Sequence, residues 1–221
     1  MTIRIGVTGT DTGVGKTVVA CAIIGALREA GMRVAAMKPV ESGGTSDADA
    51  LWRAAGKIFP MEMVCPIALA EPLAPLLAAR RANSVIDPHL LDSAFARLSS
   101  DADAIVVEGA GGLLVPITTG ESYATLFRRW DLDLVIVAAN RLGVLNHTLL
   151  TVRAAREHGL RVRAVALNSI TSQADGLAES TNLAMLRELL PDVNVVPFPY
   201  VAEDGVLPKI SFDSPGFTNV A

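Results

Sequence analysis

The sequence lacks an apolar run long enough to cross a membrane, although 51% of its 221 residues are hydrophobic. Runs such as residues 18–27 and 134–139 fall far short of the roughly 18–20 apolar residues that a spanning helix needs. Short runs of this kind are typical of strands buried on both faces of a parallel sheet. A signal-peptide pattern is also missing, so we expect a cytosolic protein.

The sequence also has few cysteines and no excess of positive charge. The two cysteines, Cys21 and Cys65, lie in apolar stretches without metal-site spacing, and we expect both to be reduced core residues. The formal net charge is −4 and no basic block occurs, which disfavours a nucleic-acid partner.

The most informative stretch is Gly9-Thr-Asp-Thr-Gly-Val-Gly-Lys-Thr17. It follows a predicted strand, residues 3–7, and opens a predicted helix, residues 18–30, as a phosphate-binding loop does. Glycines let backbone N–H groups surround an anion. Lys16 would reach the β- and γ-phosphates, and the Thr17 hydroxyl would bind Mg²⁺.

This loop departs from the strict pattern at one place. Thr10 stands where the pattern has glycine, and Gly9 lies one residue earlier. An ordinary strand–turn–helix corner with a surface lysine is therefore the alternative. A dinucleotide-binding fingerprint is excluded because Val18 stands where its third glycine should be.

A second polar stretch, residues 38–44, follows the predicted strand 33–37. We predict a loop here, because Pro39 cannot continue a central ladder. Ligands of open α/β sheets bind at the carboxyl ends of the strands. Lys38 and Ser42 therefore either face the cavity of the first loop or belong to a solvated turn, and position alone favours neither.

Carboxylates supply the third signal. Asp47 and Asp49 precede a short predicted helix, residues 50–55, where each could cap the helix or donate an oxygen to Mg²⁺. Glu108 follows the apolar strand 104–107, as the metal-directed acid of phosphate-loop enzymes does. A tight turn with an incidental glutamate is the alternative.

The rest of the chain continues an alternation of strands and helices. Strands are predicted at 132–139, 161–167 and 194–198, and helices at 87–98, 146–158 and 176–190. Alternating βα units predict an α/β fold, a doubly wound and mostly parallel sheet with helices on both faces, of the P-loop NTPase type. We expect one domain over residues 1–221, with a poorly defined tail from about residue 208.

Lys16, Lys38, Glu108 and an aspartate at one sheet edge predict phosphoryl transfer that depends on ATP and Mg²⁺. Lysines and Mg²⁺ neutralise charge on a transferring phosphoryl group. No Gly-x-Ser-x-Gly elbow occurs. Residue chemistry alone leaves the acceptor open.

The chain further resembles the dethiobiotin synthetases from Val7 to about Glu203. Besides the first loop, whose extra residue also belongs to that family, the resemblance is carried by Lys38-Pro-Val-Glu-Ser-Gly43, Asp49-Ala-Leu51, Ala70-Glu-Pro-Leu-Ala-Pro75, Val107-Glu-Gly-Ala-Gly-Gly112, Leu142-Gly-Val-Leu-Asn-His147 and Pro199-Tyr200. Each motif alone is unspecific, but together they are highly specific.

The resemblance implies a reaction of biotin biosynthesis that joins CO₂ to 7,8-diaminononanoate with ATP. One amino group takes up CO₂ to give a carbamate, ATP converts the carbamate into a carbamic–phosphoric anhydride, and the other amino group closes the ring. ADP and phosphate are released.

The resemblance also implies residue roles. The catalytic residues would be Lys38, Lys16 and Thr12, and the metal ligands Thr17, Asp49 and Glu108, with Asp49 preferred over Asp47 because Asp-Ala-Leu fits the family better. The substrate-binding residues would be Thr12, Lys38, Ser42, Gly111, Leu145 and Asn146. The nucleotide-binding residues would be Gly13, Val14, Gly15, Lys16, Thr17, Val18, Asp49, Glu108, Gly109, Ala110, Gly111, Asn168, Ser169, Pro199, Tyr200 and Val201. Of these, Asn168 would read the adenine and residues 199–201 would line the base pocket.

Members of the family are homodimers whose substrate cleft lies between subunits. The matching positions are Gly111, Leu114, Pro116 and residues 142–147, so the resemblance implies a homodimer with small-molecule substrates and neither nucleic acid nor membrane as a partner. One departure is Gly13, which replaces an acidic residue found in some members. Any substrate contact from that acidic side chain is therefore absent in this chain.

Two other classes of protein are alternatives. Partitioning and cell-division switch ATPases carry a signature lysine where this chain has Asp11, and they often use a basic surface or an amphipathic tail, neither of which is evident. Amidation enzymes of cobalamin synthesis have a similar loop. They usually carry an added glutamine-hydrolysing domain with a catalytic cysteine, for which the chain is too short.

Overall fold

The computed structural model describes residues 2–172, 176–202, 205–213 and 216–220. Its strands are β1 (Ile3–Gly9), β2 (Val34–Met37), β3 (Val40–Ser42), β4 (Ile67–Leu69), β5 (Ala104–Gly112), β6 (Asp133–Ala139), β7 (Arg161–Asn168), β8 (Asn194–Phe198), β9 (Ile210–Asp213) and β10 (Gly216–Val220). Its helices are α1 (Lys16–Glu29), α2 (Ser46–Ala54), α3 (Met61–Val64), α4 (Pro75–Arg81), α5 (Pro88–Ser100), α6 (Tyr123–Arg129), α7 (Val144–Glu157) and α8 (Leu177–Leu189).

Six strands form one sheet in the order β2-β5-β1-β6-β7-β8, and every neighbouring pair is parallel. Because each crossover returns the chain to the same end of the sheet, the carboxyl ends of the strands meet at one edge. Strands β5 and β2 lie on one side of β1, and β6 to β8 lie on the other. The predicted doubly wound, parallel α/β fold is confirmed.

Alternating side chains of the strands supply two hydrophobic cores, one on each face of the sheet. In β5, Ala104 and Val106 pack with α1, whereas Ile105 and Val107 pack on the opposite face with α5 and α6. This follows from the period of two along a strand. Burial on both faces explains why the strands read as short continuous apolar runs.

Several element bounds correct the sequence prediction. Strand β1 continues to Gly9 and β5 to Gly112, because these two glycines pair with each other beyond a register shift. Glu108 therefore lies inside a strand instead of after it. Helix α1 begins at Lys16, so the lysine and threonine of the phosphate loop form its first turn.

Further elements were not predicted, among them the short helix α3. Within the expected loop 38–44, β3 pairs in parallel with β4 in a separate two-stranded sheet. Helix α6 is short, and it begins with a capping box formed by Ser122 and Thr125. In the tail, β9 and β10 form an antiparallel pair. Glu203, where the family resemblance ends, lies outside the described residues.

Candidate active site

The glycine-rich loop connects the end of β1 to the start of α1. Gly13 and Gly15 have φ angles of 72° and 91°, which lie in the left-handed region that favours glycine. Gly15 is the N-cap of α1. At Gly9, an added Cβ would lie 2.7 Å from the carbonyl oxygen of Asp11. The loop thus needs its glycines for a compact turn that ends on a helix N-terminus, a combination that binds anions.

Lys16 lies at this helix start with 7% of its surface exposed. Its ammonium donates to the carbonyl oxygen of Asp11 at 3.2 Å, so the side chain folds back across the loop. Burial lowers the pKa of Lys16, and the nearby Glu108 carboxylate opposes that change. A phosphate bound in the loop would supply a further negative partner for this ammonium.

Lys38 joins two carboxylates at the carboxyl ends of β2 and β5. Its Nζ atom donates to Glu108 Oε1 at 2.6 Å and to Asp47 Oδ2 at 2.7 Å. The same Glu108 oxygen accepts from the Thr17 hydroxyl at 3.0 Å. Of the two readings left open for Lys38, the structure supports the cavity, because the side chain is 2% exposed and contacts the first turn of α1 through Glu108.

The charges in this cluster perturb one another. Burial alone would lower the pKa of Lys38, but Glu108 and Asp47 raise it above its ordinary value. Burial raises the pKa of Glu108, and Lys38 offsets that rise only in part. For Asp47, burial would raise the pKa, but the Lys38 ammonium holds it below its ordinary value. Lys38 is therefore a fixed cation between an exposed and a buried carboxylate.

Asp47, and not Asp49, lies in the site. Asp47 lines the cavity, whereas the Asp49 carboxylate is 3.3 Å from Nη2 of Arg53, one turn along α2. Both aspartates are in the first turn of α2, and residues two apart on a helix cannot face the same side. The structure therefore places Asp47 against the cavity and not Asp49, which the sequence prediction preferred, and the metal ligand itself stays a prediction.

Oxygen ligands suited to Mg²⁺ lie together here. Glu108 Oε2 is buried and has no hydrogen-bond partner among the described residues, although Glu108 is 0% exposed. A buried carboxylate oxygen without a partner is costly, which fits a site that a hard cation completes. Within the described ranges, no group of three or more His, Cys, Asp or Glu residues could hold a metal. Thr17, Asp47 and Glu108 would therefore need phosphate or water oxygens as further ligands.

One cavity of about 710 Å³ collects these groups. The predicted residues that line it are Thr12, Gly13, Gly15, Lys16, Thr17, Val18, Lys38, Ser42, Glu108, Ala110 and Gly111. Val14 and Gly109 do not line it, but Val14 is buried within the loop and the Gly109 carbonyl lies 3.5 Å from Lys38 Nζ. The Ser42 hydroxyl is buried without a partner in the described chain, so it is free to bind a ligand.

The cavity also has lining residues to which the sequence prediction gave no role. They are Glu41, Pro72, Leu73, Ala74, Pro75 and Val115. Residues 70–75 carried the family resemblance in the sequence without an assigned role, and residues 72–75 form an apolar wall of the cavity. Gly43 allows this wall to approach, since an added Cβ there would lie 2.8 Å from Pro72 Cβ. The wall suits an aliphatic segment of a substrate.

The residues predicted to bind the adenine lie outside this cavity. Asn168 at the end of β7 is 6% exposed, and its Nδ2 atom donates to the carbonyl oxygen of Val14 at 2.9 Å. This hydrogen bond connects the end of β7 to the phosphate loop. Ser169 donates its backbone N–H to Phe198 at 2.9 Å, which places residues 199–201 beside it at the neighbouring strand end. Their role in base binding stays a prediction.

The predicted interface residues are largely on the surface. Leu142 is 87% exposed and Leu114 55% exposed, and Pro116, Asn146 and His147 are exposed as well. Leu145 is half-buried in the first turn of α7. Leu114 and Pro116 flank Val115, which lines the cavity. Leu114 and Pro116 therefore present apolar surface next to the cavity.

Two further expectations concern the whole chain. Cys21 and Cys65 are buried free thiols, and burial raises the pKa of each, to about 12 and about 11. Among the described residues, no helix is both long and apolar enough to cross a membrane.

Comparisons with known proteins agree with this geometry. The model of a protein family described as an AAA domain matches residues 4–201. The ATP-dependent dethiobiotin synthetase BioD of Anaeromyxobacter dehalogenans (strain 2CP-C) is 44% identical over 173 residues, which cover 76% of this chain and 78% of that protein. The enzyme of the same name from Xylella fastidiosa (strain 9a5c) is 39% identical over 193 residues, 84% of either chain.

Among solved structures, the septum site-determining protein MinD of Pyrococcus horikoshii OT3, complexed with Mg-ADP, has a TM-score of 0.57. The match covers 90% of this chain and 82% of MinD at 16% sequence identity. At that identity the likeness shows a shared fold and nothing about activity.

Proposed function

The chain belongs to the ATP-dependent dethiobiotin synthetase family, and from this premise we propose that it joins CO₂ and 7,8-diaminononanoate in an ATP-dependent ring closure to dethiobiotin. The observation that carries the proposal is the position of Lys38. Its ammonium lies in the same cavity as the phosphate loop, between Glu108 and Asp47. A cation so placed can hold an anionic acceptor next to the phosphoryl group that it receives.

The first step gives the enzyme an anion to bind. One amino group of the diamine attacks CO₂, a C–N bond forms, and loss of a proton leaves a carbamate. Lys38 has three N–H donors, of which two bind Glu108 and Asp47. The third donor, whose described partner is the Gly109 carbonyl oxygen at 3.5 Å, would turn to the carbamate oxygens. The partner-free Ser42 hydroxyl and Thr12 in the loop would bind the same oxygens. The apolar wall at residues 72–75 would contact the aliphatic chain.

The second step activates the carbamate. A carbamate oxygen attacks the γ-phosphorus of ATP, the bond to the β-phosphate oxygen breaks, and ADP leaves. Lys16 and the N–H groups at the start of α1 would stabilise the negative charge of the transferring group. The other amino group then attacks the carbonyl carbon of the anhydride and loses a proton. The bond between that carbon and the phosphate oxygen breaks, phosphate leaves, and the cyclic urea closes.

Thr17, Asp47 and Glu108 would hold Mg²⁺ with oxygens of the nucleotide. When bound, Mg²⁺ supplies charge neutralisation for the phosphates. Its fit rests on the buried, partner-free Glu108 Oε2 and on an all-oxygen set of ligands. Thr17 and Lys38 keep the Glu108 carboxylate turned towards the first turn of α1.

We propose that the active form is a cytosolic homodimer in which residues 1–221 act as one catalytic domain. Exposed Leu142, and exposed Leu114 next to the cavity-lining Val115, support a surface that a partner subunit covers. The partner's Leu145 and Asn146 would then contribute to substrate binding. The buried free thiols agree with a reducing compartment, which cell fractionation would test.

A coupled assay tests the reaction. We expect ADP and phosphate to form in step with dethiobiotin, and only when the diamine, bicarbonate, ATP and Mg²⁺ are all present. Omission of each component in turn is the control. ATP hydrolysis without the diamine, stimulated by DNA or lipid vesicles, would refute the proposal and favour the switch ATPases, against which Asp11 in place of their lysine argues.

A further inference from the structure

Glu41, in the middle of β3, is a buried acidic residue to which the proposed reaction gives no role. It is 4% exposed and pairs in register with Ala68 of β4. It also lines the cavity, as do Lys38 and Asp47. A buried carboxylate requires hydrogen-bond partners, and those of Glu41 are specific.

Both carboxylate oxygens of Glu41 accept hydrogen bonds from the first turn of α2. Oε1 accepts from the backbone N–H of Asp47 at 2.9 Å, and Oε2 from that of Ala48 at 2.8 Å. First-turn N–H groups lack partners within the helix, and the N-cap residue Thr45 makes no side-chain cap hydrogen bond. Glu41 therefore caps α2 from a neighbouring strand, and its charge is favourable at this end of the helix.

This cap fixes the position of Asp47. The Asp47 side chain is 41% exposed, so packing alone does not hold it. Its backbone N–H is bound by Glu41, and its carboxylate is bound by Lys38 at 2.7 Å. If the first turn of α2 lost its cap, it would fray, and the Asp47 carboxylate would leave the cluster of Lys38 and Glu108.

We propose that Glu41 is a positioning residue that acts through Asp47. It holds the first turn of α2 so that the Asp47 carboxylate faces Lys38, Glu108 and the Mg²⁺ of the nucleotide complex. The inference rests on the proposed function in one respect, namely that Asp47 is taken as a metal ligand. Glu41 itself does not touch the reacting atoms.

Binding of Mn²⁺ in the presence of ADP tests this role without the ligase reaction. Mn²⁺ replaces Mg²⁺ as a paramagnetic probe, and free Mn²⁺ is measured by electron paramagnetic resonance. The variants are Glu41→Gln, Asp47→Asn and the double variant. Glutamine is isosteric, but its NH₂ group would face one of the two N–H donors. Glu188→Gln, on the exposed side of α8, is the matched control.

We expect Glu41→Gln to bind Mn²⁺ about 10–100-fold more weakly, the usual loss for outer-shell changes at metal sites. Asp47→Asn changes a ligand itself and should bind Mn²⁺ at least as weakly. The double variant should bind no more weakly than Asp47→Asn, because two residues that act through one contact are not additive. Glu188→Gln should match the unmodified protein. A purely structural role would lower the unfolding temperature of Glu41→Gln and leave Mn²⁺ binding by the folded protein unchanged.

Additive losses in the double variant would overturn the inference, as would unchanged Mn²⁺ binding in Glu41→Gln or in Asp47→Asn. If Glu41→Gln does not fold, Glu41→Asp replaces it, since the shorter side chain keeps the charge but cannot reach both N–H groups. Unaltered Mn²⁺ binding by Glu41→Asp would then overturn the inference. Absence of dethiobiotin formation with the coupling intact would refute the proposed function alone.

Discussion

Replacing Lys38 with methionine perturbs the buried charge cluster most directly. The Lys38 ammonium lies 2.6 Å from Glu108 Oε1 and 2.7 Å from Asp47 Oδ2, and the side chain is 2% exposed. Methionine keeps much of the apolar stem but removes the charge. The hydroxyl of Thr17 then remains as the described donor to the fully buried Glu108.

The expected cost is about 3–5 kcal/mol of unfolding free energy, the usual penalty when one partner of a buried ion pair is removed. We assign this cost to Glu108, because the Asp47 side chain is 41% exposed and water can solvate it. Burial already raises the pKa of Glu108 above its ordinary value of 4.5, and Lys38 is the main group opposing that rise. In the variant the pKa of Glu108 is therefore higher still.

The sign of the pH dependence follows from this raised pKa. The folded variant binds the Glu108 proton more tightly than the unfolded chain does, so protonation favours the folded state. The loss of stability is therefore fully present above the raised pKa of the folded state. It shrinks as the pH falls through that pKa towards the ordinary value of 4.5.

Urea unfolding of the variant at about pH 8 and about pH 5 measures this difference. We expect the full loss at the higher pH and a clearly smaller loss at the lower one. The double variant Lys38→Met/Glu108→Gln should recover much of the stability, because a neutral amide costs less to bury than an unpaired charge. Lys209→Met, at an exposed lysine, is the control. Equal losses at both pH values without recovery in the double variant would refute the reasoning.

Two other predictions follow from single residues. Gly15→Ala should weaken ADP binding about tenfold, because a Cβ would lie 2.1 Å from Asn168 Nδ2 and a left-handed alanine costs about 1–2 kcal/mol. Calorimetric titration with ADP measures this loss of affinity. Gly25→Ala, inside α1, is the control: its Cβ meets no atom within 4 Å, and it should instead stabilise the protein by about 0.5–1 kcal/mol. An equal loss of ADP binding in Gly25→Ala would contradict the argument. Leu142→Asp, at a side chain that is 87% exposed, should leave the unfolding temperature unchanged but convert the proposed dimer to a monomer in sedimentation velocity. An unaltered sedimentation coefficient would exclude Leu142 from the interface.

The fold could be predicted because its signals are local. Continuous apolar runs such as Val106 and its neighbours reflect burial on both faces of a parallel sheet, and the alternation with helices sets the topology. The phosphate loop could be predicted because its glycines are needed where φ is positive. Lys38 and Glu108 could be placed at the site because strand ends of a parallel sheet share one edge.

Other features depend on contacts that no short segment contains. The choice between Asp47 and Asp49 follows from where α2 starts, and Glu41, on another element, caps that start. The contact of Asn168 with Val14 joins residues 154 positions apart. The pairing of β3 with β4 joins two three-residue strands that are too short to show a period. In each case the deciding partner is distant in sequence.

The charges around the cavity favour a divalent cation in the proposed reaction. Lys16 and Lys38 contribute two positive charges, whereas Glu41, Asp47 and Glu108 contribute three negative ones, so these residues sum to −1. A site with that balance opposes both an anionic nucleotide and a carbamate. One Mg²⁺ changes the sum from −1 to +1. Since Glu41 is already satisfied by the N–H groups of α2, Asp47 and Glu108 are the carboxylates that would hold the cation. The third Lys38 donor, 3.5 Å from the Gly109 carbonyl oxygen, would then turn to the acceptor. The arrangement thus favours binding of the acceptor next to a metal–nucleotide complex over binding beside the free nucleotide.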